Sequence, residues 1–311
     1  MKILIMGTGA IGGCYGGLLA RSGEDVVFAA RSDNLRTIRE RGLRVESATF
    51  GEFTVHPEVV AALDGTWKAD LIILCVKGYH NEQAMSDLAP AVGDGTTILT
   101  LQNGIGSGEQ IVQRFGSKKE LLGAAYIDAE RTEPGVFAQR GSPPRIVLGE
   151  EDGDISERAQ AIAEVLRGAG IETEVSPNVL TALWSKLIYI CALSGMSCIT
   201  RASFTEVLDT PETRAMTMQV MSEALKVGQA SGVPLDDGLP DSVMAGFLEE
   251  KDGLISSMHT DLIAGNPLEV SLINGAVARI GKEVGVETPA NSFITACLSI
   301  ADNKARGNSA P

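Results

Sequence analysis

Histidine is scarce in this chain. Only His56, His80 and His259 occur in 311 residues, and they are far apart. That excludes a histidine-rich metal centre, so no metal is expected. Cysteine offers no alternative. Cys14, Cys75, Cys191, Cys198 and Cys297 are odd in number and include no CxxC pair. They read as reduced thiols of a cytoplasmic protein and not as a disulfide framework. Basic residues are also in deficit, 26 Lys and Arg against 40 Asp and Glu, for a net charge of -14. Nucleic acid and anionic membranes recruit cations, so neither is expected as a partner. A small anionic ligand remains compatible, because a few local cations override the net charge. Apolar runs are short, and none is read as long enough to span a bilayer. The opening "MKILIMGTGAIGGCYGG" has no cleavage pattern after a basic region; it reads as a strand and a turn, not a signal peptide.

What is present is glycine, 35 residues of it, and apolar material at 44 %. The length suggests about two domains, and the apolar share suffices for two cores. In the first half, "KILIMG" (2–7), "DVVFAA" (25–30), "DLIILCV" (70–76), "TTILTL" (96–101) and "LLGAAYI" (121–127) read as strands. They are short and apolar on both faces, as strands of a buried parallel sheet must be. A helical pattern at 11–22 joins the first two. The fold class expected is therefore a doubly wound, mostly parallel α/β sheet of Rossmann type. "GVFAQRGSPPRIVLGE" (135–150) reads as two short strands around a Gly-Ser-Pro-Pro turn, forming an antiparallel edge. Helix 155–169 and strand 171–176 complete this half. Beyond Pro177 only helical patterns appear, at about 178–198, 211–231, 238–264, 266–284 and 289–306. The expected domains are 1–177, dinucleotide-binding, and 178–311, all-helical and bearing substrate and catalytic groups. The polar tail "NKARGNSAP" is expected to fray.

"GTGAIG", residues 7–12, has the GxGxxG spacing and lies where a predicted strand meets a predicted helix. Gly7 permits the tight turn, Gly9 lets backbone N–H groups approach a pyrophosphate, and Gly12 lets helix and sheet pack closely. Thr8, Ala10 and Ile11 complete the loop at the helix N-terminus, which faces the phosphates. An NAD site usually carries Asp or Glu after the second strand; here Arg31 stands there, in "FAARSDNLR". A guanidinium suits a 2′-phosphate, so NADP(H) is the expected cofactor, with Ser32 and Arg36 in support. Lys77 and Asn103 fall at the carboxyl ends of later strands, where ligands of open α/β sheets bind. Lys77 suits a phosphate or ribose. Asn103 suits the nicotinamide amide or a substrate hydroxyl, although Asn103-Gly104 also reads as a plain turn.

Lys186 lies in the apolar stretch "WSKLIYICALSGMSCIT", with Ile190 and Ser194 on the same helical side. An arbitrary lysine there would snorkel. Beside a dinucleotide domain it has another use: hydride transfer to a carbonyl leaves an alkoxide, which needs a proton donor or a cation. In "SSMHTDLIAGNPLEV" (256–270), Asn266, Pro267 and Glu269 have the spacing of a capping box, and Ser257 that of a helical serine bonded to its own backbone.

Taken together, "GTGAIGG", Arg31, "CVKGYH", "LQNGIG", "LWSKL" and "SSMHTDLIAGNPLEV" resemble the ketopantoate reductase (2-dehydropantoate 2-reductase) family, in order and spacing, to about residue 295. The resemblance implies NADPH-dependent reduction of ketopantoate to pantoate, a step of pantothenate and coenzyme A synthesis. It implies Lys186 as the catalytic lysine and Glu269 as a carboxylate that holds the substrate. Asn103 and Ser257 become substrate contacts, and Gly7, Gly9, Gly12, Arg31 and Lys77 serve the cofactor. The resemblance leaves a homodimer through the helical second domain as a possible assembly, which the sequence alone does not decide. Two positions depart from the pattern: pantoate-forming members carry Asn where this chain has Ile190, and often where it has Ser194. The alternatives are a reductase of a more apolar 2-oxo or 2-hydroxy acid, and an NADP(H) sensor without turnover.

Overall fold

The computed structural model describes residues 1–307; the end of the polar tail, 308–311, lies outside them. The chain divides into two compact units, Met1–Gln102 with Ser107–Val179, and Asn103–Gly106 with everything from Leu180 onward.

The first unit is a ten-stranded sheet with helices on both faces. Its elements are β1 (Lys2–Met6), α1 (Ala10–Arg21), β2 (Asp25–Ala29), α2 (Ser32–Arg41), β3 (Leu43–Ser47), β4 (Gly51–Val55), β5 (Glu58–Val60), β6 (Leu71–Leu74), α3 (Asn81–Leu88), β7 (Thr97–Thr100), α4 (Ser107–Phe115), β8 (Glu120–Glu133), β9 (Val136–Gly149), α5 (Glu157–Gly168) and β10 (Glu172–Val175). The strand order is β4-β3-β9-β8-β7-β6-β1-β2-β5, with β10 beside β9. All pairs are parallel except β8·β9 and β3·β4. The period of two along each strand divides the apolar residues between two layers. Ile3, Ile5, Leu71, Ile73 and Leu99 face α1 and α5 through Tyr15, Leu19, Ile162 and Leu166. Leu4, Met6, Ile72, Leu74 and Ile98 face α3 and α4 through Met85, Leu88 and Ile111. This two-sided burial is what the unbroken apolar runs require.

Two expectations about the sheet are corrected. Residues 136–149 form one strand, not two strands around a turn, and it lies inside the sheet rather than at its edge. The Gly-Ser-Pro-Pro segment bulges out of the ladder, where the pairing steps from Tyr126↔Arg145 to Asp128↔Arg140. A bulge absorbs the two prolines that a regular ladder would reject. In addition, β3, β4 and β5 have no counterpart among the strands expected from sequence.

The second unit is helical: α6 (Val179–Thr200), α7 (Phe204–Asp209), α8 (Pro211–Ala230), α9 (Leu239–Glu250), α10 (Ser257–Ala264), α11 (Asn274–Val284) and α12 (Pro289–Ala305). Against the sequence expectation, α6 is long and apolar enough to cross a membrane by length and composition. Trp184, Leu187, Ile188, Cys191 and Ala192 of this helix are buried in the core of the unit. A buried polar set ties four helices together. Glu223 of α8 accepts from the Ala290 and Asn291 N–H groups at the start of α12, at 2.9 and 3.0 Å. Asn274 Nδ2 donates to Asn291 Oδ1 and to the Cys191 carbonyl of α6, both at 3.0 Å. The helix expected over 238–264 is broken at 251–256, and the one over 266–284 begins only at Asn274.

Candidate active site

The glycine loop joins β1 to α1. Gly7 has φ +109°, and a Cβ there would lie 2.6 Å from the Val76 nitrogen, so only glycine lets the loop pass this close to the end of β6. A Cβ on Gly12 would lie 2.1 Å from the Gly7 carbonyl oxygen, which fixes glycine there too. Over Gly9 the space is open, and a Cβ on it would meet nothing within 4 Å. Gly9 is the N-cap of α1; no side chain caps it, and the first turn carries no acid. The first N–H groups of α1 therefore keep their donors and the positive end of the helix dipole for an anion. Thr8 braces the loop through its hydroxyl, which donates to the Ala29 carbonyl at 3.0 Å. Ala10 and Ile11 form the first residues of α1. Asn34, which the sequence does not single out, holds the loop from below. Its amide donates to the Thr8 carbonyl at 2.7 Å, and its oxygen accepts from Gly135 N at 2.9 Å.

Arg31 is the N-cap of α2, directly after β2, and its side chain is 63 % exposed. Its guanidinium pairs with Asp87 of α3. Ser32 follows with φ +50°, an uncommon conformation for serine. Arg36 pairs with Asp33 at 2.9 Å, so this supporting cation is engaged locally. Lys77 is half-buried just after β6, as the sequence places it. A second group that the sequence does not reveal stiffens these strand ends. Gln102 donates to the Val76 carbonyl at 2.7 Å and to Asn81 Oδ1 at 2.6 Å, and Asn81 donates to Ser107 Oγ and Gln110 Oε1.

Asn103, half-buried, opens the short segment that belongs to the second unit. This segment is seated on the turn before α11. Ile105 N–H donates to the Leu272 carbonyl at 3.1 Å. Gly104 has φ +87°, and a Cβ on it would lie 2.0 Å from that same oxygen. Asn103 and Gly104 lie in a bend, and the glycine is required for the seating.

On α6, Lys186 and Ile190 are half-buried and Ser194 is buried. Burial pulls the Lys186 ammonium down from 10.5 to about 8, and the Glu269 charge acts against that fall. Glu269 is 4 % exposed. Its place is not the capping box expected. Asn266 closes α10: Gly265 takes the left-handed conformation, and Asn266 N–H donates to the Asp261 carbonyl at 2.8 Å. The next residues form a turn anchored by Leu268 N–H on Asp302 Oδ1 at 2.7 Å, and this turn carries Glu269 inward. Ile190 packs against the core of the unit. Ser194 Oγ accepts from Ser256 Oγ at 3.0 Å. Ser256 is buried and is the N-cap of α10, whereas Ser257, the serine the sequence favours, is exposed. Chemically, the second unit offers a partly desolvated ammonium, a buried carboxylate, an apolar side chain and a hydroxyl pair. No cluster of three or more His, Cys, Asp or Glu suited to a metal occurs among the described residues.

Residues 3–153 match the family model described as ketopantoate reductase PanE/ApbA, and residues 178–301 match its C-terminal model. The 2-dehydropantoate 2-reductase of Pyrococcus horikoshii is 31 % identical over 308 residues, 99 % of this chain and all of that one. The solved 2-dehydropantoate 2-reductase of Geobacter metallireducens superposes with a TM-score of 0.91 at 30 % identity, covering 97 % of this chain and 100 % of that chain. A D-mandelate dehydrogenase solved with NADH and anilino(oxo)acetate superposes at 0.88 with 26 % identity, over 98 % and 99 % of the two chains.

Proposed function

The chain belongs to the ketopantoate reductase family, and we propose that it reduces 2-dehydropantoate to pantoate with NADPH, a step of pantothenate and coenzyme A synthesis. It is an oxidoreductase acting on the CH–OH/C=O pair. The observation that carries the reading is Lys186, an ammonium brought down to about 8 by burial, with the buried Glu269 acting on it. A lysine near 8 is still largely protonated at neutral pH and gives up its proton far more readily than a solvated one.

The cofactor reading rests on the open Gly9, the uncapped start of α1 and Arg31 after β2. NADPH held there would supply the hydride for the keto carbon. As the carbonyl π pair moves onto oxygen, Lys186 stabilises the charge and delivers its proton to that oxygen, leaving the hydroxy acid and a neutral lysine. Glu269 accepts a hydrogen bond from the substrate and balances the ammonium. Asn103 and Ser194 hold the remaining substrate polar groups. Ser257 is exposed.

Loss of NADPH absorbance on adding ketopantoate tests the proposal, with NADH run in parallel. Absence of turnover with ketopantoate, when another 2-oxo acid is reduced, would refute the substrate assignment and leave the chemistry standing.

A second reading is favoured by one observation. Ile190, packed on the core of the unit, puts an apolar group between Lys186 and Ser194 along α6, where the family resemblance implies an amide. The D-mandelate dehydrogenase likeness, with its aryl-bearing 2-oxo acid, makes a more apolar 2-oxo acid the second candidate. A site lacking a hydroxyl-binding amide discriminates weakly in favour of a hydroxylated substrate.

A further inference from the structure

Ser194 lacks a bond that five other hydroxyls of its unit make. Thr200, Thr217, Ser222, Ser231 and Thr295 each donate to the carbonyl four residues back, at 2.7–2.8 Å. This is the ordinary fate of a buried serine or threonine in a helix. Ser194, 6 % exposed, makes no such bond to Ile190; its one hydrogen bond among the described residues is the one it accepts from Ser256. Ser256 in turn is fully committed. Its oxygen accepts from His259 N–H at 3.2 Å as the N-cap of α10, and its proton goes to Ser194.

A hydroxyl has one proton to give and two lone pairs. With a lone pair of Ser194 occupied by Ser256, its own proton is left for a further acceptor. A buried donor without an acceptor costs free energy, so this one stands ready for an oxygen that arrives from outside. Ser194 lies two helical turns beyond Lys186 on α6, with Ile190 between them.

Resting on the reductase reading above, we infer that Ser256 is a positioning residue for substrate selection. It holds Ser194 as a hydrogen-bond donor, and Ser194 thereby selects 2-oxo acids that bear an oxygen acceptor beyond the keto carbon. Ser256 does not touch the substrate. Groups that only donate, such as an ammonium, are disfavoured at that place.

The test compares ketopantoate with 3,3-dimethyl-2-oxobutanoate, which differs by lacking the terminal hydroxyl, and reads the ratio of their kcat/KM values. The ratio cancels changes in stability and in cofactor binding. The unmodified enzyme should favour ketopantoate, and Ser194→Ala should cut that preference by about 3–10-fold, the range of one neutral hydrogen bond. Ser256→Gly keeps most of the cap, since glycine is tolerated there, and should cut the preference to the same extent. The double variant should lose no more than either single one, and Ser256→Thr should restore the preference. An unchanged ratio in Ser256→Gly, or losses that multiply in the double variant, overturns the inference. So does an unmodified enzyme with no preference for the hydroxyl. Lys186→Ala, assayed alongside, separates the failures: if it abolishes turnover of both acids, the reductase reading survives while the selection inference stands or falls on the ratio. If neither acid is reduced by the unmodified enzyme, both are refuted.

Discussion

Replacing Lys186 with methionine should make the protein more stable and nearly inactive. The lysine carries its charge in a place that withdraws solvent, and its ammonium falls from 10.5 to about 8. At about 1.4 kcal/mol for each tenfold change in proton affinity, keeping it charged costs the folded state about 3 kcal/mol at neutral pH. The sign follows from the direction. A lysine whose folded value is depressed opposes folding fully below pH 8, and the penalty fades between pH 8 and the unfolded value of 10.5. Urea denaturation of Lys186→Met should therefore show a gain of about 3 kcal/mol at pH 7 that shrinks toward zero above pH 10. Turnover should move the other way, with kcat falling by about 10²–10⁴-fold for loss of a general acid and NADPH affinity hardly changed. The unmodified enzyme should show kcat/KM for reduction falling tenfold per pH unit above about pH 8, because the acid form is lost. Near-normal kcat in the variant, with only stability altered, would refute the catalytic assignment and make Lys186 a snorkelling residue.

Arg31→Ala should weaken NADPH binding by about 1.5–3 kcal/mol and leave NADH little changed, by titration of cofactor fluorescence. Asp87→Asn should tighten NADPH severalfold, because the exposed Arg31–Asp87 pair competes with a 2′-phosphate for the guanidinium; an unchanged affinity would mean that Arg31 does not meet the phosphate. Ile190→Asn should lower KM for ketopantoate, and a KM unchanged or raised would favour the more apolar substrate. Burial, with Glu151 and Glu150 nearby, pushes the Glu120 carboxyl from 4.5 up to about 7. Stability should therefore fall as pH rises from 4.5 to 7, and Glu120→Gln should remove that slope, gaining about 3 kcal/mol at pH 8 by thermal or urea unfolding.

Where information is local, the sequence is readable. The glycine loop, β1, α1 and Arg31 are contiguous, and their roles depend on neighbours within one strand–turn–helix unit. Lys186 is visible because a lone charge in an apolar run is conspicuous. By contrast, β3 pairs with β9, and Arg44 stands opposite Val136, so its partner is far along the chain. Its run "LRVES" alternates too briefly to announce itself. Glu269 shows the opposite error. The Asn-Pro-x-Glu spacing is a genuine capping signature, yet Asn266 is already engaged in closing α10, and Asp302, far away in sequence, takes the Leu268 N–H. Tertiary hydrogen bonds override a local preference that is real. Likewise, nothing near Ser256 in the sequence distinguishes it from Ser257; only the arrival of Ser194 does.

The seating of Asn103–Gly106 on the turn before α11 has a consequence for synthesis of the chain. Ile105 is made about 170 residues before Leu272, whose carbonyl it bonds. At roughly 5–20 residues per second, a ribosome needs about 10–30 s to supply that partner. During this interval the early sheet strands can already pair, while the loop between β7 and α4 waits with its N–H unmet. A truncated second unit beginning at Leu180 would never receive this piece. It should fold poorly alone and improve when a peptide spanning the early loop is supplied in trans, since that loop completes a helical core whose own chain begins only at Leu180.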